Sequence, residues 1–358
     1  MAGAVERRID GDGHLMEFFG TNIAEYLDEP WQSRVRDAAA AWAPAIGTTF
    51  PWFPGDGWDR NHGADLFKGR GNSAEEWLVQ LEVGPLDAAV LYPSFFLQIG
   101  ALHSRDWPVA GARAYNSWVS AEIVAKGEGR LQAVAVLAPQ EPQAAADELR
   151  RAVRTLGLVA GMLPADTAAH FGDRSFDPVY RAAVELDVPV AVHGSGTHMA
   201  GGRAFPVFIQ THAYNHPAAI LGQFTSMMFE GVFSRFPQLR VGFLECGATW
   251  VPWYLDRMDE EFEMRGRWEA PELSAPPSRY VGEGGNIFFG LEAQERLLGP
   301  TLDVIGSDVA MYASDWPHWD GEYPHSLHVV EGRGDLTDEQ RAGVLHRAAD
   351  RFYRLKTG

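Results

Sequence analysis

Short apolar runs alternate along this chain with stretches of helical character, and the pattern recurs eight times. Most runs are continuous instead of alternating with polar residues, which is typical of parallel strands covered on both faces. The predicted strands are Arg8–Asp12, Leu86–Tyr92, Leu131–Leu137, Leu158–Leu163, Val188–His193, Leu239–Glu245, Asn286–Leu291 and Met311–Asp315. Eight such units predict an α/β fold, a closed (β/α)8 TIM barrel.

The spacing of the strands predicts one domain over residues 1–358, with a long insertion after the first strand. Residues 15–74 form this insertion, which is rich in aromatic and turn residues. Loops of this length on a barrel usually cover the active site, so we expect a lid. The glycine- and histidine-rich stretch that follows the fifth strand belongs to the same face.

Composition narrows the possible partners and the compartment. The formal net charge of -18 disfavours nucleic acid and anionic membrane surfaces as partners. The single cysteine, Cys246, excludes an intramolecular disulfide and suits a reducing cytoplasm. The first ten residues lack the apolar segment of a secretory signal, and no stretch is long enough to span a membrane. These features predict a cytoplasmic protein.

Ligand-type side chains stand at the carboxyl ends of three predicted strands. Asp12 and His14 close the first strand, two residues apart, so their side chains point the same way. His193 ends the fifth strand and Asp315 the eighth. Because the carboxyl ends of barrel strands carry the chemistry, these four residues predict a metal site with nitrogen and oxygen ligands. Ligand type alone leaves zinc, iron and manganese open.

At these residues the chain resembles the amidohydrolase superfamily, in the branch of aminocarboxymuconate-semialdehyde decarboxylase. The resemblance rests on four segments in the expected order: Asp12-Gly13-His14, His193, Gly231–Pro237 and Ser314–His318. It implies that Asp12, His14, His193 and Asp315 are metal ligands.

The chain also departs from that pattern. Asp12 replaces the first histidine of the usual His-x-His, and Glu245 stands where the branch presents a histidine on strand six. Strand four ends without the lysine of two-zinc hydrolases. Further ligand candidates, Glu17, His212 and His318, lie near the same face, and such a surplus can hold a second metal. With these features the chain looks like the actinobacterial branch that includes the dinuclear non-haem iron monooxygenase of platensimycin and platencin biosynthesis.

The leading hypothesis is therefore a dinuclear iron monooxygenase of antibiotic biosynthesis. It would hydroxylate a bulky hydrophobic carboxylic acid, diterpenoid-like, or its thioester, with dioxygen and an external electron donor, and Glu245 and His318 would be its catalytic residues. Two alternatives stay open: a decarboxylase or hydrolase with one zinc or manganese ion, and a barrel that binds a ligand without catalysis. For Glu245, orientation of a ligand histidine is as well supported as direct ligation.

Other side chains are candidates for substrate contact. The set comprises Trp52, Phe95, Arg203, His216, Trp316 and Trp319. The aromatic members can equally form a satellite core, Arg203 can lie on the surface, and His212 and His216 can stabilise a loop. The resemblance also implies a homodimer.

Overall fold

Eight parallel strands form one sheet in sequential order, as the apolar pattern predicts. The computed structural model describes residues 7–17, 23–36, 71–194, 205 and 208–355. The strands are β1 (Ile9–Leu15), β2 (Ala88–Pro93), β3 (Leu131–Val136), β4 (Ala160–Pro164), β5 (Val190–His193), β6 (Val241–Leu244), β7 (Ile287–Leu291) and β8 (Ala310–Tyr312). The predicted (β/α)8 barrel is confirmed.

The barrel closes between β8 and β1 just beyond the last residues of β8. Asp315 N–H donates to the Asp12 carbonyl at 3.1 Å, and His14 N–H donates to the Trp316 carbonyl at 2.8 Å. The buried carboxylate of Asp10 adds a side-chain link, because it accepts hydrogen bonds from the backbone N–H and the hydroxyl of Ser314. The two chain segments that carry Asp12, His14 and Asp315 are thereby held side by side.

Helices alternate with the strands and cover the outside of the barrel. They are α1 (Ala74–Val83), α2 (Asp106–Val119), α3 (Pro142–Leu156), α4 (Asp177–Leu186), α5 (Phe208–Phe229), α6 (Val232–Arg235), α7 (Val251–Glu261), α8 (Arg267–Glu269), α9 (Leu298–Ile305), α10 (His325–Gly332), α11 (Asp338–Ala342) and α12 (Ala348–Tyr353). Local sequence sets several of their ends. Ser73 caps α1 by accepting from Glu76 N–H, and Pro142 begins α3.

Burial explains why most strands are continuous apolar runs. All residues of β2 and of β4 to β8 are buried, since each strand contacts the barrel interior on one face and the helices on the other. The predicted strand ends need small corrections. β1 extends to Leu15, and β8 ends at Tyr312, so Asp315 lies three residues beyond the strand.

Most of the predicted insertion at residues 15–74 lies outside the described residues. The single-domain assignment and the lid stay predictions for this reason. Within the part of the chain that the structure describes, no helix combines the length and apolar character needed to cross a bilayer.

Candidate metal centre

Three of the predicted ligands meet at the carboxyl end of the barrel. The Asp12 Oδ1 atom lies 3.2 Å from His193 Nε2 and 3.6 Å from His14 Nε2. All three side chains are buried, and their ligand atoms lie within 4.8 Å of one another. A register shift between Asp10 and Gly13 in the pairing of β1 with β2 marks a bulge at this point.

A second group shares His14 and adds Glu245, which follows β6, and Asp315 and His318, which follow β8. His14, Glu245, Asp315 and His318 also have ligand atoms within 4.8 Å of one another. Asp315 Oδ1 lies 3.6 Å from His14 Nε2 and 2.6 Å from His318 Nδ1. Glu245 links the two groups, with Oε2 at 3.1 Å from His193 Nδ1 and Oε1 at 3.9 Å from His318 Nδ1.

Glu245 and Asp315 have a backbone conformation that is uncommon for residues with a side chain. Their φ angles are +60° and +52°, in the left-handed region. Such a conformation costs on the order of 1 kcal/mol or more and concentrates at functional sites. It ends the extended backbone after β6 and turns both carboxylates into the space between the strands.

Buried ligand atoms without hydrogen-bond partners test whether this group fits a metal ion. His14 Nε2 is buried and makes no hydrogen bond among the described residues. Glu245 Oε2 and Asp315 Oδ1 are buried too, and they meet only imidazole nitrogens of the same group, His193 Nδ1 and His318 Nδ1, without hydrogen-bond geometry. Burying such polar atoms unpaired costs about 1–3 kcal/mol each. For ligand bonds of about 2.1 Å, donor atoms lie roughly 3.0–3.4 Å apart. The separations around Asp12 Oδ1 are close to this range, so the donor set fits one divalent cation.

Neighbouring groups fix the orientation of His14. Its Nδ1 contacts the Pro93 carbonyl at 3.0 Å, which leaves Nε2 for the centre. The Trp77 indole N–H donates to the His14 carbonyl at 3.0 Å. Gly13 lets this indole approach closely, because a Cβ atom at this position would lie 2.3 Å from Trp77 Cη2. The close contact requires glycine between the two ligand candidates.

The electrostatics of the group follow from burial and from mutual charge. Burial lowers the pKa of His14 well below its usual value, and the neighbouring imidazoles of His318 and His193 lower it further. Burial alone would lower the pKa of His193 too, but the carboxylates of Asp12 and Glu245 outweigh it and raise that pKa well above 6.5. Burial also raises the pKa of Asp12, and it raises that of Asp315 to about 7. A cation binds neutral imidazoles and ionised carboxylates, so its binding would displace the protons that this group retains.

A cavity of about 260 Å³ adjoins the group on its open side. Glu245 and Asp315 line it together with His216 of α5. The remaining lining residues are His212, Glu292, Ala293, Gln294, Ala313, Ser314, Asp320, Gly321, Glu322 and Ser326. Among the described residues that line it there is no lysine or arginine, so its wall is acidic.

The other two predicted ligands, His212 and Glu17, belong to neither ligand group in the structure. His212 lines the cavity, with Nε2 at 3.6 Å from Asp320 Oδ2, and it lies outside both ligand groups. Glu17 also lies outside them, contrary to expectation, because its carboxylate accepts hydrogen bonds from the backbone N–H groups of Ser94, Phe95 and Phe96. Glu17 therefore holds the turn after β2 in place.

Of the residues predicted to contact the substrate, some lie at the cavity and others do not. His216 lines the cavity, and Trp319 is half exposed with its ring 5.5 Å from that of His212. Trp316 belongs to the core instead, since it is buried edge-to-face against Trp77 at 4.7 Å. Phe95 is half-buried in the turn after β2. Trp52 and Arg203 lie outside the described residues.

Sequence reasoning missed two side chains that support the group. Ser94 directly follows β2, and its hydroxyl contacts His318 Nε2 at 2.8 Å. Asp10 is buried in β1 and anchors Ser314 near Asp315. A polar residue at the end of β2 was a usable signal for Ser94. Nothing in the sequence distinguishes Asp10 from Asp12, because both lie in one short run.

Comparison with known proteins gives several decarboxylases and a 2-keto-4-carboxy-3-hexenedioate hydratase of Sphingobium sp., which is 33% identical over 233 residues and covers 60% of this chain and 63% of that protein. Residues 88–355 match the family model described as Amidohydrolase. Decarboxylase orsB of Emericella nidulans is 30% identical over 253 residues, which cover 66% of this chain and 74% of that protein. Gamma-resorcylate decarboxylase of Polaromonas sp. is 27% identical over 225 residues, covering 58% and 65%. The crystal structure of 5-carboxyvanillate decarboxylase from Novosphingobium aromaticivorans, with bound manganese and 3-methoxy-4-hydroxy-5-nitrobenzoic acid, superposes with a TM-score of 0.75 at 19% identity and covers 99% of both chains.

These relatives overturn the leading hypothesis from the sequence. The prediction of a dinuclear iron monooxygenase acting on a diterpenoid-like acid is wrong, because the relatives are decarboxylases and a hydratase, with no oxygenase among those named here. The two irons, the dioxygen and the external electron donor rested on that hypothesis and are dropped with it. The physical reason for the error is that an oxygen-rich set of carboxylates suits manganese or zinc as well as iron.

Proposed function

The chain belongs to the amidohydrolase family, and on that basis we propose that it is a metal-dependent decarboxylase of a small carboxylated aromatic compound. The observation that carries the proposal is the convergence of three buried ligand atoms, on His14, Glu245 and Asp315, that make no hydrogen bond outside their own group and lie beside a small cavity. The decarboxylase relatives support the reaction class.

One divalent cation, manganese or zinc, would be held by Asp12, His14, His193 and Asp315. His14 and His193 each present Nε2 towards Asp12, and Asp315 Oδ1 lies 3.6 Å from His14 Nε2. When bound, the ion supplies Lewis-acid polarisation of the substrate oxygens and fixes the orientation of the ring.

Glu245 is the side chain best placed to manage the proton. In decarboxylation the bond between the ring carbon and the carboxylate breaks, its electron pair stays on the ring carbon, and that carbon takes up one proton as carbon dioxide leaves. Glu245 lines the cavity and also contacts His193, so its carboxyl group faces both the substrate space and the ligand group. Burial opposes ionisation of Glu245, but the imidazoles of His216 and His193 outweigh it and hold the pKa of this carboxyl well below its usual range. We therefore assign Glu245 the transfer of a proton that it receives from His318 and passes to the ring carbon.

His318 connects Glu245 to the turn after β2. Its Nδ1 faces Asp315 and Glu245, and its Nε2 contacts the Ser94 hydroxyl. Burial opposes protonation of His318, but the carboxylates of Asp315 and Glu245 outweigh it and raise its pKa to about 9, so His318 holds the proton that Glu245 passes on in each turnover.

The cavity volume supports a small substrate. About 260 Å³ is below the range of roughly 300–1,000 Å³ that drug-sized ligands occupy, and it suits a single-ring acid. The acidic wall favours hydroxyl substituents, which donate hydrogen bonds to carboxylates, over a second carboxylate on the ring.

Reconstitution tests this function. The purified chain is stripped with a chelator, reloaded with manganese or zinc, and incubated with orsellinate, 2,6-dihydroxybenzoate and 5-carboxyvanillate while carbon dioxide release is followed. We expect metal-dependent turnover of at least one phenolic acid under anaerobic conditions. Absence of turnover with every metal and acid, or activity that needs dioxygen, would contradict the proposal.

Two variants separate metal binding from proton transfer. Asp315→Asn is expected to lose most of the bound metal and the activity together. Glu245→Gln is expected to retain the metal at near one ion per chain and to lose activity by about 10²–10⁴-fold. Glu292→Gln is the matched control, because Glu292 lines the cavity but belongs to neither ligand group. Full activity in Glu245→Gln would remove Glu245 from the mechanism.

A further inference from the structure

The turn that follows Glu245 leads from β6 into α7, and a side chain from the loop after β7 holds it. The Glu295 Oε1 atom accepts hydrogen bonds from the backbone N–H groups of Ala248 at 2.9 Å and Thr249 at 2.7 Å. Its Oε2 atom accepts from the N–H groups of Ala248 and Glu292, both at 3.1 Å. One carboxylate thus connects the backbones of two neighbouring loops at the carboxyl end of the barrel.

The turn lies directly against this carboxylate. Gly247 has a φ angle of +66°, in the left-handed region that favours glycine. A Cβ atom at Gly247 would lie 2.5 Å from Glu295 Oε1 and 2.9 Å from Glu295 Cδ. The Trp250 indole N–H donates to the Gly247 carbonyl at 2.9 Å, which holds the turn from within. Because no space separates the turn from the carboxylate, the position of one sets the position of the other.

Arg333 fixes the loop that carries Glu295. This arginine directly follows α10, and its side chain is only 11% exposed. Its Nη1 donates to the Ala293 carbonyl at 2.8 Å, and its Nη2 donates to the Glu295 carbonyl at 2.7 Å. The same guanidinium forms two hydrogen bonds with the Asp335 carboxylate, at 3.0 and 2.7 Å. A planar guanidinium bonded in this way has little freedom to move, so Glu295 extends from a rigid support.

Glu245 is the residue that needs such a support. Its left-handed backbone conformation persists only where the surrounding structure holds it. Its carboxylate lies between two imidazoles, with Oε2 at 3.1 Å from His193 Nδ1 and Oε1 at 3.9 Å from His318 Nδ1. Since Ala248 follows Glu245 by only three residues, a displacement of the turn moves this carboxylate as well.

We propose that Glu295 is a positioning residue, which holds the Glu245 carboxylate between His193 and His318 by anchoring the turn at residues 247–249. The inference rests on the proposed function, in which Glu245 transfers the proton. Among the described residues, Glu295 belongs to neither ligand group and does not line the cavity, so it acts through Glu245. A misplacement of a reacting group by about 1 Å can lower a rate by about 10²-fold.

A double-mutant cycle tests whether Glu295 acts through Glu245. In manganese-loaded protein, Glu295→Ala is expected to lower kcat by about 10²-fold and to change KM by less than about threefold. In the Glu245→Gln background the same substitution is expected to change kcat by less than about twofold, because the group that it positions is already lost. An equal loss of kcat in both backgrounds would overturn the proposal, since Glu295 would then act on the protein in another way.

Glu295→Gln is the conservative variant. It keeps the length of the side chain and one acceptor oxygen for the Ala248 and Thr249 N–H groups, and a neutral acceptor forms weaker hydrogen bonds than a carboxylate. It is therefore expected to lower kcat by only about tenfold, and it carries the same cycle if Glu295→Ala does not fold. Glu263→Ala is the control for the lost charge, because Glu263 is exposed in the helical segment after α7, and its kcat should equal that of the wild type.

Crystal structures of the wild type and of the folded Glu295 variant give a readout that does not depend on turnover. We expect the turn at residues 247–249 to shift and Glu245 to leave its place between His193 and His318. If the wild type shows no decarboxylation but Glu245 moves in the variant, the proposed function fails while the positioning role stands. If Glu245 keeps both contacts in the variant, the positioning role is wrong whatever the activity.

Discussion

Gly13 stands between two ligand candidates, and Gly13→Ala measures how tightly the first strand must pack there. The added Cβ would lie 2.3 Å from Trp77 Cη2 and 2.9 Å from both Trp77 Cζ2 and Asp10 Oδ2. Carbon atoms in contact are normally about 3.5–4.0 Å apart, so the indole or the strand must move by more than about 1 Å.

Neither neighbour has room to move. Trp77 is fully buried, packs edge-to-face on Trp316 and donates a hydrogen bond to the His14 carbonyl. Overpacking of this kind costs about 1–3 kcal/mol, and loss of the hydrogen bond adds about 0.5–1.5 kcal/mol. Alanine also reduces the conformational entropy of the unfolded chain, which stabilises the folded state by about 0.4–1 kcal/mol. We therefore expect Gly13→Ala to lower the free energy of unfolding by about 2 kcal/mol and to weaken metal binding, because Asp12 and His14 flank the clash.

Urea unfolding of the chelator-treated protein, followed by circular dichroism, gives the stability change without a contribution from the metal. Metal titration of the folded variant then gives the change in affinity. Gly222→Ala in α5 is the control, since a Cβ there meets nothing within 4 Å and alanine favours the helix. Trp77→Phe combined with Gly13→Ala should cost less than the sum of the single changes. If Gly13→Ala matches the wild type in both stability and metal affinity, the close approach to Trp77 has no role.

Three further outcomes are expected. Asn116→Leu should lower the free energy of unfolding in urea by about 2–4 kcal/mol, because the buried amide forms hydrogen bonds with the N–H and the carbonyl of Val136 and with the Glu148 carboxylate. An unchanged midpoint of unfolding would contradict this. Burial raises the pKa of Glu17 from 4.5 to about 7, so the folded state retains a proton that the unfolded chain releases. The free energy of unfolding should therefore fall by on the order of 3 kcal/mol as pH rises from about 4.5 to 7. Glu17→Gln should flatten this profile, and an equally steep profile in the variant would refute the role of Glu17. Addition of manganese at a hundredfold excess over its dissociation constant should stabilise the stripped protein by about 2.7 kcal/mol, and equal stability with and without metal would argue against binding to the folded state.

The repeat of apolar runs was sufficient to predict the barrel. Parallel strands buried on both faces need continuous apolar segments, and eight of these leave few alternatives in fold. The carboxyl ends of the same strands then located Asp12, His14 and His193 within a few residues. The predicted boundaries erred at β8, because Asp315 lies in a left-handed turn that no local pattern of apolar residues marks.

The tertiary structure alone decided which polar residues meet. Glu17 and His318 each follow a predicted ligand by three residues, yet Glu17 caps the turn after β2 while His318 contacts Asp315. Trp316 packs into the core, whereas Trp319 lies beside His212. The sequence determined where chemistry could occur, since strand periodicity places every strand end on one face. Which side chains share that space depends on turns and on contacts between distant segments, and these are fixed only when the barrel closes.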